Sequence, residues 1–223
     1  MSDLSNWQGC EPPRPQRLEG RTVVLEAFNA DTHAHDLWQA LGGDMSANER
    51  IRFFPDAPYR DADHFGQSYQ AKQGEWHSMV MRDAQWNIVR GMASYMRLRP
   101  EHGSVEIGAV AHGEAMARSP LATEAHYLLM RHVFEDLSYR RYEWKLNDNN
   151  APSHKAAVRL GFTFEGTFRQ DMVVHGVNRD TAWYSMLDSE WPNRKAALEA
   201  WLAPSNFTED GQQIQKLEAL RPT

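Results

Sequence analysis

Residues 118–125 read Arg-Ser-Pro-Leu-Ala-Thr-Glu-Ala, and their surroundings predict a loop that leads from a strand into a helix. The preceding run at 105–110 is short, apolar and rich in β-branched residues, which is typical of a strand. After the loop, apolar residues recur at helical spacing, and Thr123 is a candidate N-cap. A helix N-terminus attracts anions through its unpaired N–H groups and its dipole, so a phosphate site is predicted here. A plain strand-to-helix connection would have the same pattern.

A second motif reads Asn-Ala-Pro-Ser at residues 150–153 and precedes an apolar-periodic segment that ends in Leu-Gly-Phe at 160–162. In this order, the two motifs resemble the GNAT acyltransferase superfamily, in the branch of ribosomal-protein N-terminal acetyltransferases. The resemblance covers roughly residues 17–186. It implies an acetyl-CoA-dependent N-acetyltransferase, in which a primary amine attacks the donor directly in a ternary complex.

The order of predicted elements indicates an α/β protein. With the resemblance, it predicts a GNAT fold, with a central mixed, largely antiparallel sheet flanked by helices on both faces. Asp31 or Thr32 is expected to cap the first helix, and residues 173–179 are expected to hold the bend between the last two strands. The predicted strands lie at 21–28, 76–82, 87–98, 103–111, 141–146, 163–169 and 181–187.

The chain of 223 residues is long enough for one domain with a buried core. Residues 1–16 are proline-rich and predict an extended arm, ordered only if it packs on the body or on a partner. Residues 17–190 are assigned to the acyltransferase domain, and 191–223 to a C-terminal helix and tail. Late in this tail, apolar spacing allows one docked helical turn.

Composition limits the partners of the chain. Its formal charge of −6 argues against binding nucleic acid mainly through phosphate contacts. A single cysteine fits a reducing compartment, and no apolar run reaches the length of a membrane span, so a cytoplasmic protein without membrane contact is expected. None of the ten histidines forms a recognised ligand set, and no metal is expected. A homodimer is left open.

The resemblance implies which residues bind the donor. Arg118 and the N–H groups after it would hold the pyrophosphate, although Leu121 and Thr123 replace the glycines usual in the superfamily. Asn150 would bind the pantetheine amides, and Ser153 would protonate the departing thiolate. From the residues alone, Asn150 is equally a turn residue and Ser153 equally a helix cap. The full expected donor set is Val110, Arg118, Ser119, Leu121, Ala122, Thr123, Asn150 and Ser153.

Two carboxylates are candidates for the general base that deprotonates the amine. Glu106 lies between Val105 and Ile107 on the predicted strand, so its side chain faces away from theirs, either toward solvent or toward the reaction. Asp171 lies where related enzymes carry a glutamate, but direct alignment places that glutamate on Met172. A shift of one residue reverses the face of a strand, so neither candidate is decided.

The irregular aromatic segment at 48–59 is expected to cover the site of the amine substrate, with Phe53, Phe54 and Tyr59 as contacts. The acidic composition predicts an acidic, aromatic-lined cleft, which would suit protein N-termini, free amino acids, polyamines or amine antibiotics. A non-catalytic acyl-CoA-binding sensor, or an interaction module on the same fold, is the alternative. It is kept because the aligned glutamate is missing and because no tyrosine precedes Leu-Gly-Phe at 160–162.

Overall fold

The computed structural model describes residues 3–117 and 119–221, and it contains one eight-stranded sheet with helices on both faces. The strands are β1 Arg17–Glu19, β2 Val23–Ala27, β3 His77–Asp83, β4 Val89–Arg99, β5 Ser104–His112, β6 Arg141–Asn147, β7 Thr163–Val174 and β8 Val177–Leu187. The α-helices are α1 Ala30–Ala40, α2 Gly43–Arg50, α3 Ala62–Ala71, α4 Pro120–Arg131, α5 Ala151–Leu160 and α6 Trp191–Leu202. A π-helical turn, His132–Asp136, continues α4.

The strands lie in the order β1-β2-β3-β4-β5-β6-β8-β7. Neighbouring strands are antiparallel at every described junction except that between β5 and β6, which is parallel. The prediction of a mixed, largely antiparallel sheet is therefore confirmed. The parallel junction also requires a crossover connection, and α4 supplies it.

The two faces of the sheet are covered differently. One face carries the main hydrophobic cluster, which includes residues of β2 to β6 and of β8 and packs against α4 and α6, with Tyr95 and Tyr142 completely buried. On the other face, the hydrophobic cluster under α1 and α3 ends at β4 and at Ala111 of β5. Beyond that limit, this face carries polar side chains and is called here the polar sheet face. Its members are Ser104 and Glu106 of β5, Glu143 and Lys145 of β6, and Thr181, Trp183 and Ser185 of β8.

The predicted helix caps are corrected by the structure. The N-cap of α4 is Ser119, whose Oγ accepts from the N–H of Ala122 at 3.4 Å, so the prediction of Thr123 is wrong. Pro120 fixes this start, because proline suits the first helical position, where its missing N–H is not needed. The N-cap of α1 is Asn29, in extended conformation, and not Asp31 or Thr32.

Two further boundaries differ from the predictions. The segment at 48–59 begins inside α2, a helix that the sequence did not predict. The bend between the last strands is shorter than residues 173–179, because β7 runs to Val174 and β8 resumes at Val177. His175 and Gly176 both have positive φ angles, 51° and 75°, and make a two-residue hairpin turn between strands longer than expected.

Both terminal segments pack on the body. In the N-terminal arm, Trp7 Nε1 donates to the carbonyl of Glu101 at 2.8 Å, and the carbonyl of Pro15 contacts His77 Nε2 at 2.8 Å. Near the other end, the predicted helical turn is a 3₁₀ turn, Leu217–Leu220, and Leu217 is buried. The domain limits at 16/17 and 190/191 stay predictions. Within the described part of the chain, every helix is too short or too polar to cross a membrane.

Candidate active site

A gap opens in the sheet between β5 and β6. The strands are nine and seven residues long, yet they pair only from Ser104–Arg141 to Glu106–Glu143. Ala109, with a φ of 47°, lies where the pairing of β5 with β4 shifts register. The second halves of β5 and β6 are therefore free to separate, and a ligand can lie between them.

A cavity of about 950 Å³ lies between the N-terminus of α4 and α5. Three predicted donor residues line it, namely Ser119, Ala122 and Thr123. His112, at the end of β5 and beyond its last pair with β6, also lines it. The remaining lining residues come mainly from α5, from the end of α6 and from the chain after it, and include Pro152, Lys155, Ala156, Trp201, Phe207 and Gln213.

The other predicted donor residues have different surroundings. Leu121 is buried in the main hydrophobic cluster, and Val110 is partly buried against the same cluster. Asn150 lies directly before the cavity-lining residues of α5. Arg118 lies outside the described residues.

Two cations of α5 at the cavity were missed by the sequence analysis. Arg159 Nη1 donates to Thr123 Oγ1 at 2.9 Å and so joins α5 to α4, and Lys155 lines the same cavity. Burial lowers the pKa of Arg159 below its ordinary value, but the guanidinium remains charged near neutral pH. The residues at 152, 155, 156 and 159 follow the i, i+3, i+4, i+7 spacing of one helix face, which was the available signal. The cavity combines these cations with a helix N-terminus, as an anionic ligand requires.

In the second motif, Asn150 and Ser153 make different hydrogen bonds. Asn150 is the N-cap of α5, because its Oδ1 accepts from the N–H of Ser153 at 3.3 Å. The interpretation of Ser153 as the cap is therefore wrong. Its Oγ instead accepts from Trp144 Nε1 at 3.0 Å. Because the indole can only donate, the hydroxyl proton of Ser153 stays available for another partner.

Three neighbouring aromatic rings lie between the unpaired ends of β5 and β6. The ring centroids of His112 on β5 and His126 on α4 lie 5.3 Å apart, and those of His126 and Trp144 on β6 lie 5.2 Å apart. Burial lowers the pKa of His112 to about 4 and lowers that of His126 well below its usual range. Both rings are therefore neutral near pH 7.

The predicted orientation of Glu106 is confirmed, because Val105 and Ile107 belong to the opposite, apolar face. The carboxylate is only 3% exposed, so the alternative of a solvated position is wrong. Its Oε2 lies 2.6 Å from Arg97 Nη1 and 3.1 Å from Lys145 Nζ. Glu106 is thus held by two cations, and both of them contact the same oxygen, Oε2.

Arg179 on β8 brings several predicted residues of the amine site together. Its Nη1 donates to the carbonyl of Phe53 at 3.2 Å. The charges of Asp171 and Glu106 both act on its guanidinium, although Asp171 itself is exposed on β7. The segment containing Phe53 therefore contacts β8 through Arg179, and its role in binding the amine stays a prediction.

The other two aromatic candidates have core contacts. Phe54 is half-buried against the cluster under α1 and α3. Tyr59 is 3% exposed, and its ring centroid lies 5.2 Å from that of Phe65 in an edge-to-face arrangement. Asn48 fixes Tyr59 there through hydrogen bonds with its backbone N–H and carbonyl. The ring of Tyr59 is enclosed by protein and is not presented to a ligand.

The structure adds a buried ionic network that the sequence analysis missed. Glu143 is 2% exposed, and its Oε1 lies 2.7 Å from both Arg99 Nη2 and Arg141 Nε. Its Oε2 lies 2.7 Å from Lys145 Nζ, which also reaches Glu106. Alternating charges at 141, 143 and 145 on one strand were the available signal. Among the described residues, no group of three or more His, Cys, Asp or Glu side chains could hold a metal ion.

Comparison with known proteins agrees with this geometry. The profile of the family described as "Acetyltransferase (GNAT) domain" matches residues 22–163, more than half of the chain. The chain belongs to the GNAT acetyltransferase family. A crystal structure of a GCN5-related N-acetyltransferase from Brucella melitensis is 42% identical, with a TM-score of 0.92, and the match covers 98% of this chain and 99% of that one.

Two other GNAT relatives are less similar. A GNAT-family structure from Chromobacterium violaceum is 35% identical, with a TM-score of 0.79, and the match covers 86% of this chain and 96% of that one. The Bacillus subtilis protein named "Putative ribosomal N-acetyltransferase YdaF" is 30% identical over 105 residues. That match covers 47% of this chain and only 57% of the relative's length. As a GNAT protein the chain is an acyltransferase, and its family transfers acetyl groups from acetyl-CoA to amines.

Proposed function

We propose that the chain binds acetyl-CoA in the cavity between α4 and α5 and acetylates a primary amine that approaches over the polar sheet face. The observation that carries this proposal is the early end of the β5–β6 ladder, after three residue pairs. His112, in the unpaired second half of β5, lines the donor cavity, and Glu106, at the last β5–β6 pair, lies on the polar sheet face. Donor and amine can therefore meet from opposite sides of the sheet, as direct attack in a ternary complex requires.

The donor cavity suits the charged end of coenzyme A. The first turn of α4 presents backbone N–H groups, and Lys155 and Arg159 add positive charge from α5. Acetyl-CoA supplies the acetyl group as a thioester. Ser153, whose Oγ accepts from Trp144, has its hydroxyl proton left to donate to the leaving sulfur.

For proton loss from the amine, neither Glu106 nor Asp171 is proposed as a dedicated base. Glu106 is engaged by Arg97 and Lys145, and Asp171 is exposed. A chain of water molecules to bulk solvent, with Glu106 assisting, is the route that these positions favour. Because orientation alone can supply roughly 7–11 kcal/mol, weak acid–base groups are sufficient.

Acetyl-CoA is expected to raise the melting temperature of the protein by about 5–10 °C at a hundredfold excess over its dissociation constant. The reason is that the ligand binds the folded chain and not the unfolded one. Thermal unfolding measures the shift, and release of free thiol with a panel of amines measures turnover. A shift without turnover would favour the non-catalytic sensor, and no shift at all would remove the donor cavity from the proposal.

Removal of any one proton-transfer group is expected to lower the maximal rate by less than about a hundredfold. The variants are Asp171→Asn, Ser153→Ala and Glu106→Gln, the last checked for folding because it removes a partner of Lys145. Positioned general-base catalysis is typically worth about 10²–10⁴-fold, so a sole base would exceed this limit. A thousandfold loss in one folded variant that still binds acetyl-CoA would identify a dedicated base. The cytoplasmic location and the homodimer stay predictions.

A further inference from the structure

Three side chains in a row on β8 carry buried polar atoms without a hydrogen-bond partner among the described residues. They are Arg179 Nε, Thr181 Oγ1 and Trp183 Nε1. Ala182 and Tyr184 face the apolar core, so alternation places the three side chains on the polar sheet face. The nitrogens of Arg and Trp can only donate, and Thr181, at 3% exposed, can donate as well. Buried donors in native proteins are nearly always paired, so this row indicates a ligand that supplies oxygen atoms.

The charge around this row is positive, although the chain as a whole carries −6. The one carboxylate close by, Glu106, already pairs with Arg97 and Lys145. Among the described residues, no carboxylate lies within 4.0 Å of Arg179, and Asp171 acts on it only from a longer distance. Burial and then the charge of Arg97 lower the pKa of Arg179, and the more distant charges of Asp171 and Glu106 only partly oppose this.

The positive charge continues along the same face. Trp183 also lines a cavity of about 430 Å³, and the charged residues that line it include Arg99, Arg140 and Arg141. The carboxylate in this cavity, Glu143, is already shared by Arg99 and Arg141. The structure therefore corrects the expectation of an acidic cleft, because the polar sheet face carries more cations than free carboxylates.

From these observations we infer that the amine substrate also carries a carboxylate, bound by Arg179 with Thr181 and Trp183 as additional donors. This inference rests on the proposed function and specifies its substrate class. Alternate residues of a strand lie about 6.6–6.8 Å apart, so the donors suit successive oxygens of an extended molecule. Free acidic amino acids and peptides with acidic residues next to their N-terminus both have this chemistry. Polyamines have the opposite charge and are excluded by repulsion from Arg97 and Arg179.

The test compares amines of different charge. Three tetrapeptide amides, Ser-Asp-Asp-Ala, Ser-Asn-Asn-Ala and Ser-Lys-Lys-Ala, share one N-terminal amine. Free aspartate, asparagine amide, which has no carboxylate, and spermidine form the second set. Thiol release gives kcat/KM, and calorimetry on protein saturated with CoA gives binding without turnover. The acidic member is expected to exceed the neutral one by roughly 10–100-fold in at least one set, as for a charged hydrogen bond, and the cationic member to rank last. If only the peptides show this ranking, the carboxylate belongs to a peptide side chain; if only the free amines show it, the carboxylate belongs to a free amino acid.

Arg179→Gln is expected to abolish this ranking, whereas Arg17→Gln, an exposed change on β1 at the opposite side of the sheet, should preserve it. Equal or reversed affinities in both sets for the unmodified protein would overturn the inference, whatever the variants do. Retention of the ranking by Arg179→Gln would also overturn it. Failure of the proposed function has a different signature, because acetyl-CoA would then neither bind nor release thiol.

Discussion

Ala122→Glu is expected to raise the dissociation constant for acetyl-CoA by about a hundredfold. Ala122 is the third residue of α4 and lines the donor cavity, where the phosphates are proposed to bind. At about 5 Å and an effective dielectric constant of about 20, two like charges repel by roughly 3 kcal/mol. The helix itself is not weakened, because an acidic residue in the first turn complements the helix dipole. Isothermal calorimetry measures the loss, and thermal unfolding without ligand checks the fold.

Ala122→Gln is the matched control, since it adds nearly the same volume without the charge. It is expected to weaken binding by less than about tenfold, because only steric adjustment is involved. Equal losses in the two variants would mean that size and not charge is responsible. Unchanged affinity in the glutamate variant would place the phosphates somewhere other than the first turn of α4.

Glu143→Gln is expected to lower the free energy of unfolding by roughly 3–5 kcal/mol. Glu143 is nearly inaccessible, and its neutralisation would leave the buried Lys145 with Glu106 as its remaining carboxylate partner and Arg141 with Glu165 alone. Denaturant unfolding measures the change. Glu165→Gln is the control, because Glu165 is 39% exposed and pairs with Arg141 near the surface, so a loss of about 0–1 kcal/mol is expected. Similar losses in both variants would show that burial of the network contributes little.

The same carboxylate should make stability depend on pH. Burial alone would raise the pKa of Glu143, but hydrogen bonds from Arg141 and Lys145 outweigh it and hold the pKa at about 2, against an ordinary value of 4.5. Because the folded chain holds the proton less tightly, the stabilisation is complete above about pH 4.5 and is lost as the pH falls toward 2. The stability of Glu143→Gln should therefore fall less steeply across this window than that of the unmodified chain.

Most of the fold was predictable because it depends on local patterns. The strand, loop and helix around residues 105–131 have the periodicity and apolar content that their burial requires, and the structure confirms them. Helix α2 is the exception, since it reads Gly-Asp-Met-Ser-Ala-Asn-Glu-Arg and buries only Gly43 and Ala47. A helix that hides so little apolar surface leaves no periodic signal in the sequence.

The candidate site was harder to predict because strand pairing assembles it. Pro120 was a readable signal that Ser119, and not Thr123, caps α4. No comparable signal exists for the pairing of Lys145 with Trp183, because β8 lies between β6 and β7 although β7 comes first in the chain. The positive charge of the polar sheet face results from that register. The net charge of −6 had instead led to the expectation of an acidic cleft.

The strand order also governs how the protein can assemble on the ribosome. Strands β1 to β5 each lie beside the next strand in sequence, so they can join as they emerge. β6 lies between β5 and β8, so its second neighbour is absent until β8 has been synthesised. β7 pairs only with β8, so it can join the sheet only as part of the β7–β8 hairpin. During this delay β6 is an open edge, and inward-pointing charges are among the features that keep such edges from pairing wrongly. Glu143 and Lys145 lie on that strand, so we expect their charges, which pair in the folded sheet, to disfavour wrong pairing of β6 before β8 is present.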